Sequence, residues 1–242
     1  MYSRIPMPKV EWKEENRRYA LCFFPLVGAV TGGLLLLWKY ICVSLNIGVI
    51  VNSAMCVLIP VLVTGGIHID GFCDTTDALC SYSEKKKKLE IMSDPHIGSF
   101  AVISLCCMFL LQFALFCEVR GHYVIAAGYV LSRALSGIAA VGLRSAKSEG
   151  ALQSFVKPAH RKITLAVLAV TTLLCAAGMC VVDPIQGAAV CAVCALLFLI
   201  YRACAYKNFG GITGDTEGWF LQLTETAILV VVFMAEKAVM FL

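Results

Sequence analysis

Residues 65–79 read GGIHIDGFCDTTDAL, which sets Asp70, Asp74 and Asp77 at intervals of four and three. On a helix that spacing stacks the three side chains on one face within about two turns. Two carboxylates about 4 Å apart repel by about 4 kcal/mol at an effective dielectric of 20. Three together therefore require protons, basic partners or a cation, and a divalent metal answers the charge with the fewest parts. Oxygen ligands without an accompanying thiolate pattern select a hard ion, and Mg²⁺ commonly takes one or two carboxylates together with substrate phosphates. An ion so held neutralises charge in phosphoryl transfer. The competing reading makes these aspartates helix caps or solvated loop residues beside the lysine run at 85–88.

Further polar residues bracket the triplet. His68 precedes it and His96 follows it in LEIMSDPHIGSF, each either an interfacial polar group or a proton shuttle or phosphate contact. Asp94 joins the metal site if its loop folds back; otherwise SDP is a turn. A second polar island, NFGGITGDTEGWFLQLTET at 208–226, carries four glycines in nine positions together with Thr213 and Asp215. With Thr216 and Glu217 also among them, it reads as a flexible loop whose backbone can approach a phosphate. Asp215 is a substrate or metal ligand there, or the cap of the last helix. Glu225 lies about two turns into that helix, where a carboxylate within the membrane is a functional candidate. Arg133, deep in an apolar stretch, must pair with a carboxylate or a bound phosphate. The run KKKK, Lys86 included, is a membrane anchor or a phosphate clamp.

These residues sit in a greasy chain. Of 242 residues 60% are hydrophobic and 15% charged, and the mean hydropathy is +0.82, whereas about a quarter of a soluble domain is charged. The expected fold is all-α, a polytopic membrane helical bundle forming one domain over residues 1–242. The net charge of +4 is explained by basic residues flanking membrane spans, so no nucleic-acid partner is implied. Thirteen cysteines, mostly inside apolar runs, argue against a disulfide framework, and the C-x-x-C of Cys191 and Cys194 falls in mid-span without redox context. The first twenty residues are too polar and too long for a signal-peptide lead.

Apolar stretches of about twenty residues, enough to cross a bilayer, lie near 20–38, 48–66, 98–117, 122–142, 163–182, 185–203 and 220–241. That predicts seven helices, with the turn at 182–185 either separating two or kinking one. Sixteen of the twenty Lys and Arg residues then fall on one side, with Arg4, Lys9, Lys13, Arg17 and Arg18 leading, which predicts a cytoplasmic N-terminus. The polar segments 67–97, 143–162 and 204–219 all land on that same face. A transporter would instead spread its polar groups near mid-membrane over several helices.

The chain resembles the cobalamin synthase, or adenosylcobinamide-GDP ribazoletransferase, family over nearly its whole length. The resemblance is carried by RIPMP at 4–8, FFPLVG at 23–28, GGIHIDGFCDTTDAL at 65–79, LEIMSDPHIGSFAV at 89–102, SRAL at 132–135 and GGITGDTEG at 210–218. Cys73, Ala78, His96 and the FLQLTE of 220–225 depart from the usual family pattern. The resemblance implies a magnesium-dependent enzyme of the bacterial cytoplasmic membrane that joins adenosylcobinamide-GDP to α-ribazole, or to its 5′-phosphate, and releases GMP. Asp70, Asp74 and Asp77 would hold the metal, with Asp74, Asp77 or His68 acting in catalysis. Arg133, His96, Thr213, Asp215 and Lys86 would contact substrate. The aspartate segment also looks in part like the motif of CDP-alcohol phosphotransferases, so a lipid-making phosphotransferase is the rival enzyme. Partners are the two substrates and membrane lipid; self-association into a homo-oligomer is left open by the sequence.

Overall fold

The computed structural model describes residues 17–239. The RIPMP stretch and Arg4, Lys9 and Lys13 lie outside the described residues. A short 3-10 turn, Ala20–Phe23, runs into α1 (Phe24–Ser44). There follow α2 (Val49–Thr64), α3 (Ile67–Cys80), α4 (Lys85–Ile91), α5 (Ser99–Glu118), α6 (His122–Gly142), α7 (Gln153–Val156), α8 (Arg161–Val182), α9 (Pro184–Phe209) and α10 (Gly214–Val239). No strand occurs among the described residues. Six helices are long and apolar enough to cross a membrane, or seven when the bent pair α2 and α3 counts as one span. The protein is a multi-pass membrane helical bundle.

The bent pair positions the aspartates. At 1.5 Å per residue the 16-residue α2 is about 24 Å long, short of the roughly 30 Å hydrocarbon core. Gly65 and Gly66 then adopt left-handed conformations, φ 67° and 83°, which residues with a Cβ rarely accept. The chain turns by 94° into α3. The segment from Ile67 is thus helical, and a polar loop over all of 67–97 is not what forms.

Two further boundaries differ from expectation. The last helix begins at Gly214, six residues before the apolar stretch suggests, because Thr213 caps it: the Thr213 hydroxyl accepts from the Thr216 N–H at 3.1 Å, and the Thr216 hydroxyl accepts from the Thr213 N–H at 2.9 Å. Together with the continuation of α9 to Phe209, this leaves only residues 210–213 of the expected glycine loop as loop. The turn near 183 separates two helices. Asp183 accepts from the N–H groups of Ile185 and Gln186 at 3.0 and 2.9 Å, and Pro184 occupies the first helical position of α9.

α6 is the central helix. It packs extensively against α1, α8 and α10, with Leu131, Tyr129, Ile228 and Val232 in the main apolar cluster. On α1, Gly28 and Gly32 abut the carbonyls of Tyr129 and Ala126, the close approach that small residues four apart allow between membrane helices. α3 packs chiefly against α10 and α5. All thirteen cysteines are free thiols.

Candidate active site

α3 and α10 bring together a larger set of acids than the α3 spacing alone suggests. Asp70 and Asp74 share one face of α3, while Asp77, nearly one turn on, is turned into the start of α5. One Asp77 oxygen accepts the Gly98 N–H at 2.6 Å and the other accepts the Ala101 N–H at 2.9 Å. Both lobes of that carboxylate therefore satisfy donors at the N-terminus of α5, which have no partner within their own helix. Asp77 is thus a cap supplied from another helix as well as a member of the acid cluster.

Asp215, in the first turn of α10, joins the cluster. Gly71 makes this possible: a Cβ there would stand 2.7 Å from the Asp215 carbonyl oxygen and 2.9 Å from its Cα. The backbones touch because α3 has no side chain at that point. The charges of Asp70, Asp215 and Asp77 all act on Asp74, and so does the cation of Lys147. Lys147 is brought in by a short parallel bridge in which the Ile212 N–H donates to the Arg144 carbonyl at 2.9 Å and the Ala146 N–H to the Ile212 carbonyl at 2.8 Å. Its ammonium also donates to the Ser93 hydroxyl at 3.2 Å.

Asp70 separates two clefts. One, of ≈ 280 Å³, is lined by Asp70, Asp74, Cys73, Pro95 and His96. The other, of ≈ 110 Å³, runs into the bundle between α1, α3, α6 and α10, with Asp70 and Asp215 in its lining and His68, Ser136 and Glu217 deeper. His68 is 4% exposed and its Nε2 has no partner among the described residues; Glu217 is 6% exposed, with Oε2 accepting from the Ser136 hydroxyl and the Tyr201 hydroxyl also against its carboxyl. Beneath them Arg133, fully buried, is paired with Glu225 and also donates to the Ser132 hydroxyl. Of the two partners the sequence allows for Arg133, a carboxylate or a phosphate, the structure supplies the carboxylate, and Arg133 lines neither cleft.

The remaining candidates divide. His96 is exposed at the wider cleft, where its ring Nδ1 lies 2.7 Å from Asp94 and its backbone N–H donates to the same oxygen at 2.9 Å. Those contacts hold the Asp94 carboxyl below the usual carboxylate range and keep it within its own turn, away from the α3 acids. Thr213 is 3% exposed with its hydroxyl spent on the cap, so it does not present a substrate contact. In the lysine run, Lys85 reaches the Tyr206 carbonyl, Lys87 pairs with Glu90 and Lys88 with Asn208. Lys86 is exposed and lines neither cleft.

Among the described residues no three acidic, His or Cys side chains form a ready metal cage. The donors at the wider cleft are two carboxylates one helical turn apart, Asp70 and Asp74. That is the partial oxygen shell an ion such as Mg²⁺ completes with water and phosphate, so the residues fit such an ion.

The sequence matches the cobalamin-5-phosphate synthase family over residues 1–233. The chain belongs to that family. A protein of Lachnoclostridium phytofermentans named adenosylcobinamide-GDP ribazoletransferase is 42% identical over 100% of this chain and 93% of the relative. Relatives of the same name from Pseudomonas savastanoi pv. phaseolicola and Clostridium botulinum are 34% and 30% identical, each over 93% of this chain and 91% and 90% of the relative. No solved structure matches the chain. Family membership makes the protein a transferase of cobalamin biosynthesis.

Sequence reasoning does not single out Lys147 or Ser136 as site residues, and it notes Glu217 only as one polar residue of the glycine-rich island. Lys147 looks like any loop lysine until the bridge to Ile212 is seen. Ser136 carries one available signal: a polar side chain on a helix whose neighbours are apolar must find a partner or a ligand.

Proposed function

We propose that the protein is an adenosylcobinamide-GDP ribazoletransferase, joining the cobinamide phosphate of its donor to α-ribazole or its 5′-phosphate with release of GMP. The position of Asp70 between two clefts carries this reading, since a two-substrate transfer needs a donor and an acceptor to meet at one acid-lined point. The wider, open cleft suits the donor diphosphate and the narrower one the acceptor. Asp70 and Asp74 would hold Mg²⁺; when bound, that ion neutralises charge on the diphosphate and on the departing GMP.

The chain's own residues do the rest. The acceptor's ribose hydroxyl is held at the mouth of the inner cavity, where Asp215 accepts its proton. The hydroxyl oxygen forms a bond to the phosphorus on the cobinamide arm, and the bond from that phosphorus to the bridging oxygen breaks as GMP leaves. Lys147, close to Asp74 and Asp215, draws phosphate toward the acids. The apolar walls of the inner cavity keep water from competing as acceptor.

The membrane is the bacterial cytoplasmic membrane, with the N-terminus and the acid cluster on the cytoplasmic side, supported by sixteen of twenty Lys and Arg residues falling on that side. Purified protein in detergent, given adenosylcobinamide-GDP, α-ribazole and Mg²⁺, tests the assignment. Equimolar GMP and a corrinoid product of the summed mass are expected. Turnover with a CDP-linked donor and a lipid alcohol instead would overturn it, and so would absence of any product.

A further inference from the structure

We infer that a cleft at the end of the bundle away from the acids binds the headgroup of a membrane lipid, one that carries a phosphate and a primary ammonium. The cleft, of ≈ 410 Å³, lies where α5 and α10 end and where α6 and α9 begin, and Arg120, Gly121, Asp183, Gln186 and Glu236 are in its lining. That volume falls within the roughly 300–1,000 Å³ of small-molecule pockets. Glu236 follows Asp215 on α10 by 21 residues, about 31 Å of helix and close to the thickness of a hydrocarbon core. The cleft is therefore at headgroup depth on the other side of the bilayer from the acid cluster.

Much of the charge around the cleft is already matched. Glu236 accepts from the backbone N–H groups of Arg120 and Gly121 at 2.9 and 2.6 Å, and Lys237 donates to Glu118 at 3.1 Å. Asp183 caps α9 through one oxygen alone, which takes the N–H groups of both Ile185 and Gln186. The guanidinium of Arg120, exposed at the rim, has no partner among the described residues, and the second carboxylate oxygen of Asp183 has none either. Gln186 is 8% exposed, and its amide oxygen is buried without a donor. That oxygen is set against Gly121, where a Cβ would collide with it. A buried acceptor left unmet carries an uncompensated desolvation cost, so the amide oxygen marks where a ligand N–H belongs.

A cation, a carboxylate oxygen and a buried amide acceptor around one cleft complement a zwitterion. Phosphate suits the planar fork of the Arg120 guanidinium. A primary ammonium has three N–H donors, enough to serve both Asp183 and the Gln186 oxygen. A trimethylammonium has none, so a choline headgroup leaves that oxygen unsatisfied. A headgroup with phosphate alone sets a like charge against Asp183. The surroundings identify the bilayer as the source of the ligand. Val182 and Ile185 flank Asp183, Tyr123 follows Gly121 by two positions, and all three are exposed. They form an apolar collar for acyl chains, with a tyrosine at the membrane interface where that residue is enriched. One lipid held there would tie together the ends of α5, α6, α9 and α10.

The test is lipid retention by purified full-length protein, incubated in detergent with equal amounts of phosphatidylethanolamine and phosphatidylcholine of identical acyl chains and then weighed by native mass spectrometry. Wild type should keep phosphatidylethanolamine at least fivefold over phosphatidylcholine. Arg120→Ala and Gln186→Leu should each bring that ratio to within twofold. Asp183→Asn keeps a capping side chain and loses the charge, and it should do the same. Lys86→Ala, an exposed cation at the other end of the bundle, should retain the wild-type ratio. Equal retention of the two lipids by wild type overturns the site. So does a preference that survives all three cleft variants, or one that falls as far in Lys86→Ala. Binding of soluble phosphoethanolamine without retention of the lipid would place the ligand in solution and overturn the lipid assignment. Should Gln186→Leu or Asp183→Asn misfold, Arg120→Ala, a change at an exposed side chain, decides.

Discussion

Gly71 of α3 and Asp215 of α10 meet backbone to backbone, at a separation where a single added methyl group would lie 2.7 Å from the Asp215 carbonyl oxygen. That contact, made by residues 144 positions apart in the chain, is what assembles the acid cluster. Gly71→Ala should push α3 from α10 and lower kcat/KM at least tenfold while the protein remains membrane-inserted. Gly33→Ala, where nothing lies within 4 Å of the added Cβ, should leave activity within twofold. Assays of the two variants side by side check the contact.

Asp77 is expected to behave as a structural residue. Asp77→Ala removes the acceptor for the Gly98 and Ala101 N–H groups and should cost about 1–2 kcal/mol of stability, the usual worth of a lost N-cap. Thermal unfolding in detergent should show the loss. Residual turnover at low temperature should stay within tenfold of wild type, an outcome incompatible with a metal-holding role.

The buried ion pair of Arg133 and Glu225 makes a different demand. Removing one partner strands a charge in the bundle, at about 3–5 kcal/mol, so Arg133→Met or Glu225→Leu alone should sharply reduce the yield of folded protein. The double variant should recover much of it. Detergent-solubilised yield and melting temperature provide the measurement.

Lys147 faces the carboxylates from the loop that Ile212 pins down. A cation there competes with a metal ion and attracts phosphate. Lys147→Ala should therefore lower the half-saturating Mg²⁺ concentration and raise the donor KM, each by roughly threefold, in line with about 0.5–1 kcal/mol for a partly exposed charge pair. Initial rates measured over a grid of Mg²⁺ and donor concentrations would show the two effects moving in opposite directions.

Much of this architecture is legible in the sequence. Runs of apolar residues mark the membrane helices, since length and hydropathy determine crossing, and the spacing of four exposes Asp70 and Asp74 as partners. The i+7 position shows only part of what Asp77 does: the spacing sets it with Asp74, yet its capping bonds depend on Gly98, in a loop whose return to α3 no local pattern reveals. Thr213 and Asp215 look like a flexible loop because glycine density masks a cap, and the reciprocal Thr213–Thr216 bonds turn those residues into the start of α10. The burial of Arg133 demands a partner on sequence grounds, but the choice between a carboxylate and a phosphate depends on where α10 lies. Lys147 and Gly71 matter only through tertiary contacts, so nothing in their neighbourhoods distinguishes them.

The central claim is that Asp70 and Asp74, with Asp215 beside them, perform the transfer while Asp77 supports the fold. It is tested most directly by magnesium-dependent GMP release from adenosylcobinamide-GDP and α-ribazole, measured for purified Asp74→Asn and Asp77→Asn in parallel. The account predicts release at background level in Asp74→Asn, with the protein folded, and release within tenfold of wild type in Asp77→Asn. Full activity in Asp74→Asn, or complete loss confined to Asp77→Asn, would contradict it.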